Sequence, residues 1–193
     1  MKKDIILAGV GGQGIISIAA IIGYAALEQG MYLKQSEVHG MSQRGGEVMS
    51  NLRISHQEIA SDLIPFGKAD MIISIEPLES LRYLPYLSKD GWLITNTTPF
   101  NNIPNYPDMD QLMAEVQKVP HHIALEADTL AKQAGSTKAT NIVILGAATP
   151  FLGMAYEKLE NAIRFTFRNK GDKVIDQNLA ALRAGHDFAA RHM

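Results

Sequence analysis

The chain has 193 residues, 46% of them apolar, with a net charge of −2 and no cysteine. That composition suits one folded α/β domain with a sizeable core, and it gives no electrostatic drive towards nucleic acid. The missing cysteines exclude disulfides, thiolate nucleophiles, cysteine-ligated zinc and an iron–sulfur cluster held by this chain. No uninterrupted run of about 18 apolar residues suggests a membrane span. The opening "MKKDIILAGVGGQG" is broken by Asp4 and a glycine cluster, too early for a signal peptide. A cytoplasmic protein is the expectation.

Residues 4–9 read as a buried strand and 14–29 as a helix, with Ile15, Ile18, Ile22 and Leu27 among its apolar positions and Gly30 as its stop. Strands are expected over 31–38 and 47–55, separated by the polar, glycine-containing loop "HGMSQRGG" at 39–46. The run "ADMIISIEP" at 69–77 reads as a buried strand ending at Pro77. A helix follows from Leu78, broken or ended at Pro85, and another strand lies at 91–97. The prolines at 99, 104 and 107 mark a loop. A helix over 109–119, a short strand over 121–127 and helices over 126–134, 139–153, 156–168 and 173–191 complete the pattern. Strands alternating with helices predict an α/β, Rossmann-like three-layer fold with a mostly parallel sheet. We read a single domain over 1–193, with the 39–60 region projecting from it as a hairpin.

Residues 9–14, "GVGGQG", form G-x-G-x-x-G between a strand and a helix. Gly9 suits a tight turn, Gly11 a close backbone approach by a phosphate, and Gly14 close helix–strand packing. Gly12 and Gln13 complete the loop, and free N–H groups at the helix start favour an anion. A dinucleotide fingerprint also needs an acidic residue about 20 positions further on. Glu37 stands near that place, but His39-Gly40 and a basic loop follow it at once. The alternative is a loop that only makes a tight strand-to-helix connection.

The segment "SEVHGMSQRGGEVMSNLRIS" at 36–55 is more specific. Together with "GVGGQGI" it resembles the gamma module of the 2-oxoacid:ferredoxin oxidoreductases. "EVHGMSQRGGEV" looks most like the small (beta) subunits of indolepyruvate ferredoxin oxidoreductases. The resemblance runs through "ADMIISIEPLESLRYLPYL", "DGWLITNT", "EADTLAKQAGSTKATNIVILGA" and the tail "AIRFTFRNKGDKVIDQNLAALRAG", nearly the whole chain.

The resemblance implies a complex that oxidatively decarboxylates a 2-oxoacid with thiamine diphosphate and coenzyme A and passes electrons through iron–sulfur clusters to ferredoxin. Thiamine diphosphate, magnesium and the [4Fe–4S] clusters would sit on a large partner subunit. This chain would be a noncatalytic member of a hetero-oligomer, helping to form the coenzyme A site. The implied contacts are Gly9, Gly11, Gly12, Gln13 and Gly14 of the first loop and His39, Gln43, Arg44, Gly45 and Gly46 of the second. Related single-chain pyruvate enzymes carry a basic pair before the glycine pair. Here the pair is Gln43-Arg44, one cation fewer, and Arg44 retains the bidentate fork that suits a phosphate. No catalytic residue and no metal ligand is assigned to this chain. Indolepyruvate or another arylpyruvate is the oxoacid that the resemblance favours. A pyruvate- or 2-ketoisovalerate-type gamma subunit, a free-standing nucleotide-binding module and an NAD(P)-dependent dehydrogenase are the alternatives.

Other residues carry weaker signals. His39 fits a ligand contact or a loop-orienting role. His121-His122 lacks a third ligand at local spacing. Arg53 within a strand reads as a structural or interface charge. Asn141 suits a helix cap or a cleft wall. Met41 and Met49 fit a partner contact or this domain's own core.

Overall fold

The structure is a computed structural model that describes residues 1–40, 45–101 and 103–193. Six strands form one sheet: β1 (Lys2–Val10), β2 (Tyr32–His39), β3 (Glu47–Ser55), β4 (Ala69–Ser74), β5 (Leu87–Asn96) and β6 (His122–Leu125). Their order is β2-β3-β1-β4-β5-β6. β1, β4, β5 and β6 pair in parallel. β3 runs antiparallel to both neighbours, β1 and β2. The expected mostly parallel sheet is present, with one reversed strand inserted in it.

Seven helices cover the sheet among the described residues: α1 (Ile15–Leu27), α2 (Pro77–Arg82), α3 (Met109–Gln117), α4 (Ala127–Gln133), α5 (Thr140–Leu152), α6 (Tyr156–Phe167) and α7 (Asp172–Ala190). Alternation along the strands divides the core. Ile5, Leu7, Met71, Ile73 and Ile94 pack with α1 and with α4 to α7. Ile6, Met49, Ile72 and Leu93 face the opposite way, with Leu112 and Val116 of α3 and the flank of α2. The result is three layers. Met49, one of the two methionines flanking the second loop, therefore belongs to the core.

On the larger face α5 and α7 approach backbone to backbone. A Cβ at Gly146 would fall 2.1 Å from the Leu182 carbonyl oxygen, and one at Gly185 would fall 1.9 Å from that of Val143. α5 also contains Pro150, which cannot donate to the Gly146 carbonyl. The Thr149 hydroxyl donates to that carbonyl instead, at 2.7 Å.

Three expectations change. The 39–60 region does not project: β3 lies inside the sheet, between β1 and β2. The strand expected to end at Pro77 stops at Ser74, and Pro77 is the first residue of α2, where its missing N–H is harmless. The following helix ends at Arg82, Pro85 lies in a short 3-10 turn (Leu84–Tyr86), and β5 starts at Leu87, ahead of the expected Gly91. The polar stretch Ser88–Asp90 hid that early start.

The inserted strand is anchored by charge. Asp4 of β1 is 2% exposed and faces its register partner Arg53 of β3. The guanidinium grips both carboxylate oxygens, Nε to Oδ1 at 2.8 Å and Nη2 to Oδ2 at 3.0 Å. Its Nη1 donates to the carbonyls of Ser61 and Leu63. Arg53 thus has the structural role. Removing one partner of a buried pair costs about 3–5 kcal/mol when the other charge is stranded; Lys2, 3.0 Å from Asp4 Oδ2, leaves Asp4 a partner, so the loss here is that of charged hydrogen bonds, roughly 1.5–3 kcal/mol. Arg53→Ala should lower stability by that amount in chemical denaturation, and the paired exchange Asp4→Leu with Arg53→Met should recover most of it.

Candidate functional site

The glycine loop sits at the carboxyl end of β1, where the sheet turns from strands added on one side to strands added on the other. Open α/β sheets bind ligands at such a point. Three clefts meet there. One of about 530 Å³ lies towards β4 and β5, lined by Gly12, Gln13, Ile75, Asn96, Asp128 and Lys138 among others. One of about 350 Å³ lies towards β3, with Gly11, Ile16, Ser17, His39 and Val48 in its wall. The third, of about 490 Å³, opens towards α7 between Gly12, Ser17, Lys138, Asn141 and Lys170.

Each glycine has a separate physical role. A Cβ at Gly9 would fall 2.8 Å from Gln13 Oε1, and that oxygen accepts the Val10 N–H at 2.8 Å. Gln13 therefore folds back to staple the loop. Gly11 does not offer its N–H to a ligand: it donates to the Gly46 carbonyl at 2.9 Å. Gly12 adopts φ +97°, and a Cβ there would meet only open space. Gly12 thus leaves room for a ligand to approach the backbone closely. Gly14 adopts φ +87°, and its Cβ would fall 2.6 Å from Asn141 Nδ2. That amide donates to the Gly14 carbonyl at 3.2 Å. α1 starts with no side-chain cap; Ser17 and Ile18 N–H donate to the Gly14 carbonyl, which leaves the N–H groups of Ile15 and Ile16, in the wall of the β3-side cleft, without an intrahelical partner.

The second loop returns beside the first. Gly40 N–H donates to the Glu47 carbonyl at 2.9 Å, and Gly45 adopts φ +78°. His39 lines the β3-side cleft, and its Nε2 pairs with Glu37 Oε1. Met41, Ser42, Gln43 and Arg44 lie outside the described residues, so the expected contacts of Gln43 and Arg44 are not described. Glu47 reaches Arg82 of α2 at 3.3 Å, and Arg82 also holds Glu79 at 2.8 Å. Burial raises the Glu79 carboxyl above its ordinary value despite this partner.

The ribose reading of Glu37 fails on topology. In a dinucleotide fold the second strand lies directly beside the first. Here β3 intervenes, and Glu37 pairs with His39 on an edge strand.

Sequence reasoning missed the opposite wall. Glu76 is 1% exposed and caps α2 by accepting the Glu79 N–H at 2.9 Å. It also accepts the Phe100 N–H at 3.2 Å and the Tyr106 hydroxyl. Burial, and then the bond to Glu76, raises the Tyr106 phenol well above its ordinary value. The phenol stays a donor and ties the proline-marked loop to α2. Glutamate is not among the preferred capping residues, so only Pro77 hinted at this start. Asn96 donates to Asp128 Oδ2 at 2.9 Å, and Thr140 donates to Oδ1 at 2.9 Å. Asn141 proves to be a cleft wall. The cap position of α5 belongs to Ala139.

His121 and His122 lie at the far end of the sheet, in a cleft with Trp92 and His192. The His121 ring packs on Trp92 and His122 Nδ1 bonds the Val119 carbonyl. Among the described residues no group of three or more histidine, aspartate or glutamate side chains is arranged to hold a metal ion, and no helix is long and apolar enough to cross a membrane.

Residues 4–188 match the family model described as pyruvate ferredoxin/flavodoxin oxidoreductase. The chain belongs to that family. Indolepyruvate oxidoreductase subunit IorB of Archaeoglobus fulgidus is 38% identical over 200 residues, covering 98% of this chain and 96% of that protein. The keto/oxoacid ferredoxin oxidoreductase gamma subunit of Geobacter sulfurreducens shares the fold, with a TM-score of 0.73 at 24% identity over 98% of this chain and 99% of that one. The 2-oxoglutarate:ferredoxin oxidoreductase of Magnetococcus marinus, solved with 2-oxoglutarate, coenzyme A and succinyl-CoA bound, shares it at a TM-score of 0.77 and 21% identity. That match covers 98% of this chain and 31% of the longer one.

The Gly14–Asn141 contact yields a double-mutant test. Gly14→Ala meets a left-handed backbone penalty of roughly 1–2 kcal/mol plus overpacking of about 1–3 kcal/mol. The melting temperature should fall by roughly 4–20 °C. In an Asn141→Ala background the clash is gone, and the effect of Gly14→Ala should shrink to the backbone part alone.

Proposed function

We propose that this chain, acting as one gamma-type domain over 1–193, is the small noncatalytic subunit of a 2-oxoacid:ferredoxin oxidoreductase. Its two loops form this chain's side of a coenzyme A site. The observation that carries the reading is the bond from Gly11 N–H to the Gly46 carbonyl. It joins the two motifs of the resemblance at the mouth of three clefts. The resemblance to indolepyruvate oxidoreductase subunits favours indolepyruvate or another arylpyruvate as the oxoacid. The complex is placed in the cytoplasm, with a large subunit and ferredoxin as partners.

A chain with no cysteine does not fit an iron–sulfur cluster. Decarboxylation and electron transfer therefore belong to thiamine diphosphate and clusters on the large subunit. This chain's residues bind and orient the acyl acceptor. Gly12 lets an anionic group reach the backbone, the open N–H groups of α1 favour its charge, and Gln13 and Asn141 hold the loop in that shape. A free-standing dehydrogenase is disfavoured because Glu37 is displaced from the ribose position.

Purified alone, the chain should not oxidise any 2-oxoacid; turnover free of partner would overturn the assignment. In the assembled complex, Gly12→Asn is informative because asparagine tolerates a left-handed backbone and its side chain would enter the open space. It should raise the apparent KM for coenzyme A about tenfold, equivalent to about 1.4 kcal/mol, with the oxoacid KM nearly unchanged and a fall in melting temperature limited to the backbone cost at φ +97°, roughly 2–8 °C. Arg44→Ala should act in the same direction, because a hydrogen bond to a charged group is worth roughly 1.5–3 kcal/mol. Size-exclusion chromatography of that variant separates a ligand contact from a subunit contact.

A further inference from the structure

The three clefts differ in charge. The cleft towards β4 and β5 contains the Asp128 carboxylate. The cleft towards α7 has no carboxylate in its wall and is lined by two lysines, Lys138 and Lys170. Neither ammonium makes a hydrogen bond or ion pair with a described residue. Lys138 lies in the short connection between α4 and α5 and borders both clefts. Lys170 ends the turn Arg168–Lys170 that leads into α7. Between them the same cleft presents Gly12 with its open approach and the hydroxyls of Ser17 and Ser136.

We infer that this cleft is a phosphate subsite, with Lys138 and Lys170 as its cations. The inference rests on the coenzyme A reading of the glycine loop and adds to it which of three clefts takes the charge. Cations without a direct protein partner raise the local potential for an anion. Two lysines act as point charges suited to a phosphate. The Asp128 side of Gly12 repels the same group. On coenzyme A the anion is either the 3′-phosphate or the diphosphate, both of which are organic phosphate esters.

The test uses the full chain with inorganic pyrophosphate, followed by titration calorimetry, and the assembled complex with coenzyme A and with 3′-dephospho-coenzyme A. The double variant Lys138→Gln/Lys170→Gln should weaken pyrophosphate binding about tenfold or more and flatten its salt dependence. Lys138→Arg/Lys170→Arg should stay within about threefold. Lys118→Gln, at a lysine paired with Glu115, should leave binding unchanged. If the subsite takes the 3′-phosphate, the glutamine pair raises the KM for coenzyme A and leaves that for the dephospho form alone. If it takes the diphosphate, both rise together. No pyrophosphate binding by the wild-type chain, or equal binding by the glutamine pair, overturns the subsite. Coenzyme A use that survives the glutamine pair unchanged also overturns the subsite and leaves the coenzyme A reading standing. Lysine-dependent pyrophosphate binding in a complex indifferent to coenzyme A keeps the subsite and removes that reading.

Discussion

Everything at this site depends on the reversed strand β3 being inserted between β1 and β2. Because β3 runs antiparallel to β1, its first residue, Glu47, lies opposite Val10 at the end of β1. The loop before it is thereby delivered to the rim that holds the glycine loop. A parallel strand in the same slot would begin at the opposite rim, and the two motifs would never meet. The Gly11–Gly46 bond closes that arrangement. The same insertion moves β2, and Glu37 with it, away from β1 by one strand spacing, about 4.8 Å. One topological choice adds a second loop to the site and removes the acid that would have read a ribose.

The insertion is held at its two ends by pairs of unequal strength. Asp4 and Arg53 form a bidentate pair out of water, with side chains 2% and 12% exposed. At the functional end, Glu47 and Arg82 are 49% and 46% exposed, and such pairs contribute roughly 0–1 kcal/mol. Register is therefore secured far from the clefts. The near end keeps a weak tie to α2 that competes with little when a ligand or a partner surface arrives.

Most strands and helices were legible because each has its own period and its own stop. The alternation at Ile5, Ile6 and Leu7 gives β1, and Gly30, at φ +68°, ends the α1 region. Strand order is not a local property. Nothing within 47–55 states that this strand lies between β1 and β2, which is why a projecting hairpin was expected. The glycine loop was legible as an anion site, but the division of roles within it was not. That Gly11 is committed to Gly46 and Gly12 is open follows from a partner far along the chain. Asn141 lies 127 positions from Gly14, and its closeness is set by the packing of α5 against the sheet. Lys138 and Lys170 carry no motif and become neighbours of Gly12 only through the folding of the helical third.

The charge pattern around Gly12 has a consequence for how an extended ligand would lie. Asp128 gives both carboxylate oxygens to Asn96 and Thr140, which fixes its position without removing its charge. Lys138 borders the Asp128 cleft and the one towards α7, and Lys170 lines only the latter. The cleft towards β3 has Val10, Ile15, Ile16 and Val48 in its wall, together with His39. Ile16 is 59% exposed, an apolar residue standing open beside a polar loop. On the proposed reading, a molecule with an anionic end and a neutral flexible arm is turned so that its charge meets Lys138 and Lys170. Its arm then crosses Gly12 towards Ile16 and Val48. The reactive end would leave this chain beside His39, the direction in which a partner carrying the redox chemistry would have to stand.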